Sequence, residues 1–287
     1  MFYQLKTLFL LGILNGLLLV IGHLTLGKSG YFVALAIAAV INLIVYYYSD
    51  TLVLKAFNAQ KMPEEKYGLI YEMVQELTSA ANLPMPKLWI INSDIANAFA
   101  TGRNPQNSSI AITTGILKVL NKDELRGVLA HEISHIGNRD ILVTTVAAVL
   151  VAALSYMIDI YRWRMFWGRE GREKQSSLPF YLLVVILTPI LSLLLQLALS
   201  RTREYLADEA GAKLSHAPLD LASALQKIEA YAESGHYLSN EEDYSKKAMA
   251  SLFFCSPFKG VGRWLAFLFS THPPTKERVK RLSNMKI

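Results

Sequence analysis

The sequence contains a single cysteine, Cys255. One thiol forms no internal disulfide and cannot build a cysteine metal centre, so any bound metal must be held by histidines and carboxylates. Charge is also sparse, at 18% of residues. The net charge of +6 does not gather into a Lys/Arg stripe with interleaved aromatics, which excludes a nucleic-acid surface. The basic residues sit instead beside hydrophobic runs, where anionic lipid headgroups account for the excess. No internal repeat or low-complexity tract occurs, which removes repeat architectures and biased linkers from consideration.

What the chain has in excess is apolar material, 52% hydrophobic residues and a positive mean hydropathy. One soluble core of this size would not absorb it. Four uncharged runs hold the excess: Thr7 to Gly27, Tyr31 to Ser49, Ile141 to Ile158 and Leu178 to Ser200. Each is near the roughly 20 residues that cross a bilayer. Lys6 before the first run gives it the look of a secretory signal, but the run is too long for one, lacks a small-residue cleavage site and is followed at once by a second, so it reads as a retained anchor.

These runs divide the chain into two membrane helices over 1–54, a polar block over 55–140, a hydrophobic helical hairpin over 141–200 and a second polar block over 201–287. The hairpin starts and ends on one side of the membrane, so the two polar blocks can assemble into one domain. Lys6, Lys55, Lys61 and Lys66 put that domain and the N-terminus inside by the positive-inside rule. The loop holding Arg162, Arg164, Arg169, Arg172 and Lys174 conflicts with full crossing by the hairpin. Either the topology tolerates the loop or the hairpin dips in and returns.

The first block predicts a helix over Pro63 to Ala81, a β-rich run over Lys87 to Asn92, a turn-rich stretch through Gly102, Asn104, Pro105 and Asn107, and a further strand over Ser109 to Thr114. Together these read as a small antiparallel sheet. Asn121 with Glu124 three positions on predicts a capping box and a helix whose buried face is Leu125, Val128, Leu129, Ile133 and Ile136. The second block predicts helices over Arg203 to Leu214 and Leu219 to Ala232, and a basic helix that starts at Thr271-His272-Pro273-Pro274 and runs to about Ser283.

Chemistry concentrates in His131-Glu132-Ile133-Ser134-His135. Histidines four apart on a helix stand one turn above the other on one face, close enough to share a metal ion, and Glu132 between them suits a general base. A catalytic zinc takes three protein ligands and leaves a fourth position for water. Glu204 is the candidate third ligand, with Asp208 one turn on to accept from the far nitrogen of a ligand histidine, and Ala207, Ala210, Gly211 and Ala212 small enough for close helix packing. On spacing alone, an exposed acidic pair at a charged helix start explains Glu204 and Asp208 equally simply. Asp140 is either a second carboxylate behind a ligand histidine or a helix-terminating acid. His272, with Arg278 behind it, is a candidate to stabilise a developing oxyanion; a histidine ahead of Pro-Pro that caps a turn is the plainer account.

The segments Leu129 to Ile136, Asn97 to Gly102, Ser200 to Asp208 and Ser270 to Pro274, in this order and with these hydrophobic runs between them, resemble the HtpX-type membrane proteases, relatives of the prenyl-protein endoproteases. The resemblance covers nearly the whole chain. It implies a mainly α membrane protein: four hydrophobic helices plus an α+β zincin-like metalloprotease domain with a small antiparallel sheet. It implies one Zn2+ held by His131, His135 and Glu204, and Glu132 as general base to a metal-activated water. It implies a peptide substrate added as a strand along backbone near Asn97, Ala98 and Phe99 or in Ser109 to Thr113. Expected partners are membrane lipid and misfolded or damaged inner-membrane proteins. The expected location is the inner membrane, multi-pass, with the active site towards the cytoplasm. An inactive metal-binding scaffold would need the ligands but not Glu132. A transporter would want charge within the runs, which is nearly absent.

Overall fold

The computed structural model describes residues 28–142, 144–146, 201–234 and 273–286, with isolated positions 12, 16 and 19. His272 and most of the first, third and fourth hydrophobic runs lie outside the described residues. The second run lies within α1 (Lys28–Ala56), 29 residues long, described along its backbone but for only part of its side chains. Counting the residues described in full, no helix is long and apolar enough to cross a membrane. Where α1's side chains are described it is an apolar rod, with Phe32, Leu35, Val40 and Leu43 exposed. Its last turn changes character. Val53 and Leu54, with Phe57 just beyond, pack against Ile91, Phe99 and Ala111 of the sheet.

The sheet contains β1 (Gln60–Lys61), β2 (Lys87–Ile91), β3 (Ala98–Asn104) and β4 (Asn107–Thr113) in the order β1-β2-β4-β3. β2 and β4 run parallel, while β1 with β2 and β3 with β4 are antiparallel. The sheet is therefore mixed, which corrects the antiparallel expectation. After β2 the chain passes through residues 92–97 to the outer position, and the hairpin from β3 then returns β4 into the space beside β2. Only Pro105 and Gln106 form the turn between β3 and β4. Gly102, at φ 140°, absorbs a register shift within β3, a conformation that suits a residue without Cβ.

Alternation assigns the two faces of the sheet. Leu88, Ile90, Ala98, Ala100, Ile110 and Ile112 face the main core, while Ile91, Phe99 and Ala111 face the end of α1. The core is closed by α2 (Glu64–Ala80), α3 (Thr114–Val119), α4 (Lys122–Gly137), α5 (Arg201–Ser215), α6 (Pro218–Glu233) and α7 (Thr275–Ser283).

Of these helices, α4 is the one buried through its middle. Leu125, Val128, Leu129, Ile133 and Ile136 are all buried. Its start is fixed as expected: Asn121 Oδ1 accepts from Glu124 N and Glu124 Oε2 accepts from Asn121 N, both at 2.9 Å. The Glu124 carboxylate also receives Ser223 Oγ at 2.6 Å and Lys227 Nζ at 2.8 Å, so one side chain both caps α4 and ties it to α6. At its other end Arg139 takes φ 58°, and Arg139 N donates to Ile136 O while Asp140 N donates to His135 O, at 3.1 and 3.0 Å. That paired closure turns the chain back over the last turn of the helix. Asp140 is thereby returned towards His135.

Candidate metal centre

The centre lies where α5 crosses α4. Gly211 is the point of contact: a Cβ there would fall 2.8 Å from His131 N and 2.9 Å from His131 Cα. Ala207 and Ala212 flank it with no exposed surface. One turn before this closely packed stretch, Glu204 faces the two histidines from α5.

Four residues along a helix bring two side chains into register. The Nε2 atoms of His131 and His135 stand 3.1 Å apart. Glu204 Oε2 lies 3.7 Å from His131 Nε2, and Glu204 Oε1 lies 3.6 Å from His135 Nε2. One donor atom from each of the three residues falls within 4.8 Å of the others. Tetrahedral zinc with bonds of about 2.0–2.1 Å separates its ligands by about 3.3 Å, so the observed spacings fit such an ion. Charge supports the fit. Among the described residues, Glu132, Asp140, Glu204 and Asp208 are buried here with the guanidiniums of Arg203 and Arg278, and a divalent cation offsets the negative excess.

The outer nitrogen of each imidazole faces a carboxylate. His131 Nδ1 is 3.0 Å from Asp208 Oδ1, and His135 Nδ1 is 3.3 Å from Asp140 Oδ2. Each aspartate is in turn backed by a buried arginine. Arg278 Nε and Nη2 donate to Asp208 Oδ2 and Oδ1 at 2.8 and 2.6 Å, and Arg203 Nη1 lies 3.5 Å from Asp140 Oδ1. Burial opposes ionisation of Asp208, yet the guanidinium of Arg278 and the imidazole of His131 hold its carboxyl down to about 2.

The two histidines respond in opposite directions to the same surroundings. Burial pushes His131 down, and the neighbouring His135 adds to this. Burial also works against charge on His135, but Asp140, Glu204 and Glu132 outweigh it and raise its pKa. Without a metal, the surrounding carboxylates favour a proton on His135 over one on His131. His135 is also the more open of the two, with 15% of its side-chain surface exposed against 1% for His131.

Glu132 is buried, and desolvation with help from Glu204 raises its pKa to about 7. Its Oε2 accepts from Ala100 N at 2.8 Å, which links the helix to the outer strand of the sheet. Asn97, Ala98 and Phe99 are themselves buried. Ala98 lies on the α4 side of β3, whereas the Phe99 ring packs on Phe57, centroids 5.4 Å apart. Asn97 is tied to β4, its O accepting from Thr113 Oγ1 at 2.9 Å.

Sequence reasoning did not find three of these contacts: Arg278 with Asp208, Arg203 with Asp140, and Ala100 N with Glu132. None leaves a local spacing to read, because the partners lie on separate elements. The one available signal was Arg278 itself, a guanidinium on the basic C-terminal helix near the His-Pro-Pro segment.

Residues 64–286 match Peptidase family M48. A Protease HtpX homolog of Sulfurihydrogenibium sp. is 40% identical over 285 residues, covering 98% of this chain and 96% of that protein. Protease HtpX homologs of Pyrococcus abyssi and Methylibium petroleiphilum are each 44% identical, covering 98% and 99% of this chain and 96% and 98% of theirs. Among solved structures, the crystal structure of S. mikatae Ste24p is similar with TM-score 0.50 and 20% identity; the match covers 97% of this chain and 65% of that one. That likeness concerns the fold.

Proposed function

The chain belongs to peptidase family M48, alongside the HtpX homologs, and from that membership we propose that it is a membrane-bound zinc endopeptidase that cleaves misfolded or damaged membrane proteins. The observation that carries the reading is the convergence of His131, His135 and Glu204 donor atoms within 4.8 Å, from helices far apart in sequence. These three residues would hold the metal. When bound, zinc supplies the Lewis acid that polarises a peptide carbonyl and makes water acidic enough to attack near neutral pH.

The remaining work falls to the chain's own groups. Glu132 accepts a proton from the attacking water and passes it to the leaving amine, the work of a general base placed beside the metal ligands. Asp208 and Asp140 orient the imidazoles through their outer nitrogens, fixing which nitrogen is left for the metal. A peptide lies along the outer strand β3, beside Asn97, Ala98 and Phe99. His272 assists the developing oxyanion.

The proposed location is the inner membrane, multi-pass, with the centre on the cytoplasmic side. The helix of the metal ligands ends at Gly137 and the third hydrophobic run starts at Ile141, while Glu204 follows the fourth run by four residues. The centre thus lies between the start of one hydrophobic run and the end of another, which suits substrates presented at the bilayer surface. The test is cleavage of a denatured protein by the purified full-length chain in detergent. Chelator should abolish cleavage and Zn2+ should restore it; cleavage indifferent to chelator would rule the proposal out.

A further inference from the structure

The helix α7 carries four basic side chains, Lys276, Arg278, Lys280 and Arg281, and solvent takes three of them. Arg278 is the exception, with 1% of its surface exposed. Burying a guanidinium is costly unless a carboxylate meets it with matched geometry. Asp208 does so through both of its oxygens, at 2.8 and 2.6 Å. The oxygen that receives Arg278 Nη2 is the same Oδ1 that stands 3.0 Å from His131 Nδ1. Guanidinium, carboxylate and imidazole are therefore in line, and the imidazole ends at the Nε2 that faces Glu204.

We propose that Arg278 is a positioning residue of the metal centre: acting through Asp208 it fixes the ring of His131, so that docking of the C-terminal helix and retention of the metal are one coupled event. The inference rests on the reading of His131, His135 and Glu204 as metal ligands. Its physical content is orientation. A carboxylate with one oxygen free can rotate about its terminal bond, and the forked guanidinium removes that freedom. With Asp208 held, His131 keeps one tautomer and one ring plane. The remainder of α7 supports the same docking. Leu282 and Thr275 are buried, Tyr205 Oη donates to Glu277, and Arg281 stacks 3.8 Å from the Tyr205 ring centroid. Tyr205 neighbours Glu204 on α5, so the helix that supplies the third ligand is clasped by the helix that orients the first.

The experiment measures Zn2+ affinity of the full-length chain by competition with a chromogenic chelator, and the visible spectrum of the Co2+-loaded chain. Arg278→Ala should weaken Zn2+ binding about tenfold or more and shift the Co2+ bands. Arg278→Lys, which keeps the charge but not the fork, should fold and still show the shift; it carries the test if the alanine variant does not fold. In an Asp208→Asn background, Arg278→Ala should add no more than about twofold, because its effect passes through the lost carboxylate. Equal affinity and an unchanged spectrum in both Arg278 variants would overturn the inference, as would a full additional loss in the Asp208→Asn background. A wild-type chain with no tight Zn2+ site would instead overturn the ligand assignment beneath it.

Discussion

At the scale of single residues, the centre divides its carboxylates by position. Glu204 faces both histidines, Asp208 and Asp140 stand behind them, and Glu132 is held on a strand amide. Replacing Glu204 by Gln should therefore reduce bound zinc far below one per chain, measured by metal analysis after gel filtration; full zinc content would move the third ligand elsewhere. Proton bookkeeping gives a second expectation. The pKa of His135 is raised by Asp140, Glu204 and Glu132 against its own burial, so the metal-free pair holds a proton through the neutral range. A metal takes the neutral imidazole, so binding must expel that proton and apparent affinity must rise with pH up to the raised pKa. Calorimetry of Zn2+ binding at pH 7 in two buffers of different ionisation enthalpy should show about one proton released; release of none would contradict the assigned proton.

At the scale of elements, the decisive packing is α5 on α4, and Gly211 allows it. Alanine is a better helix former than glycine by about 1 kcal/mol. At Gly211 its Cβ would press to 2.8 Å from backbone that cannot rotate away. The steric effect should win: Gly211→Ala is expected to cost on the order of 1–3 kcal/mol and to draw Glu204 out of ligand range, read as a lower melting temperature together with reduced zinc content. This packing was partly legible, since the small residues of α5 predict a close approach. The longer helices and the Asn121 cap were legible because their signals are local; the short α3, which follows β4 without a break, was not read. Strand order was not: alternation gives each strand its faces but not its neighbour, so the mixed sheet emerged only with the route from β2 to β3. The residues Gly102 and Asn104, read as turn, instead extend β3 through an irregularity.

At the scale of the whole molecule, a metal held by His131, His135 and Glu204 would bridge two parts of the chain separated by residues 138–200. Ligation stabilises the assembled state over any state in which these parts separate, by about 2.7 kcal/mol when free metal is a hundredfold above its dissociation constant. Chelation should therefore lower the melting temperature of the full-length chain, and added Zn2+ should restore it; a melting curve unmoved by chelator would mean that the two blocks assemble independently of metal. The long-range contacts of the centre, above all Arg278 with Asp208, belong to this scale. They depend on the finished assembly and leave no spacing in the sequence, whereas the one-turn pair His131 and His135 was readable at once. The central claim is that Glu132 acts on protons while His131, His135 and Glu204 hold the metal. Its most direct test is the Glu132→Gln chain, assayed for zinc content and for cleavage of a denatured protein in the same preparation. The account predicts one zinc per chain and no cleavage; retained cleavage, or loss of the zinc, would contradict it.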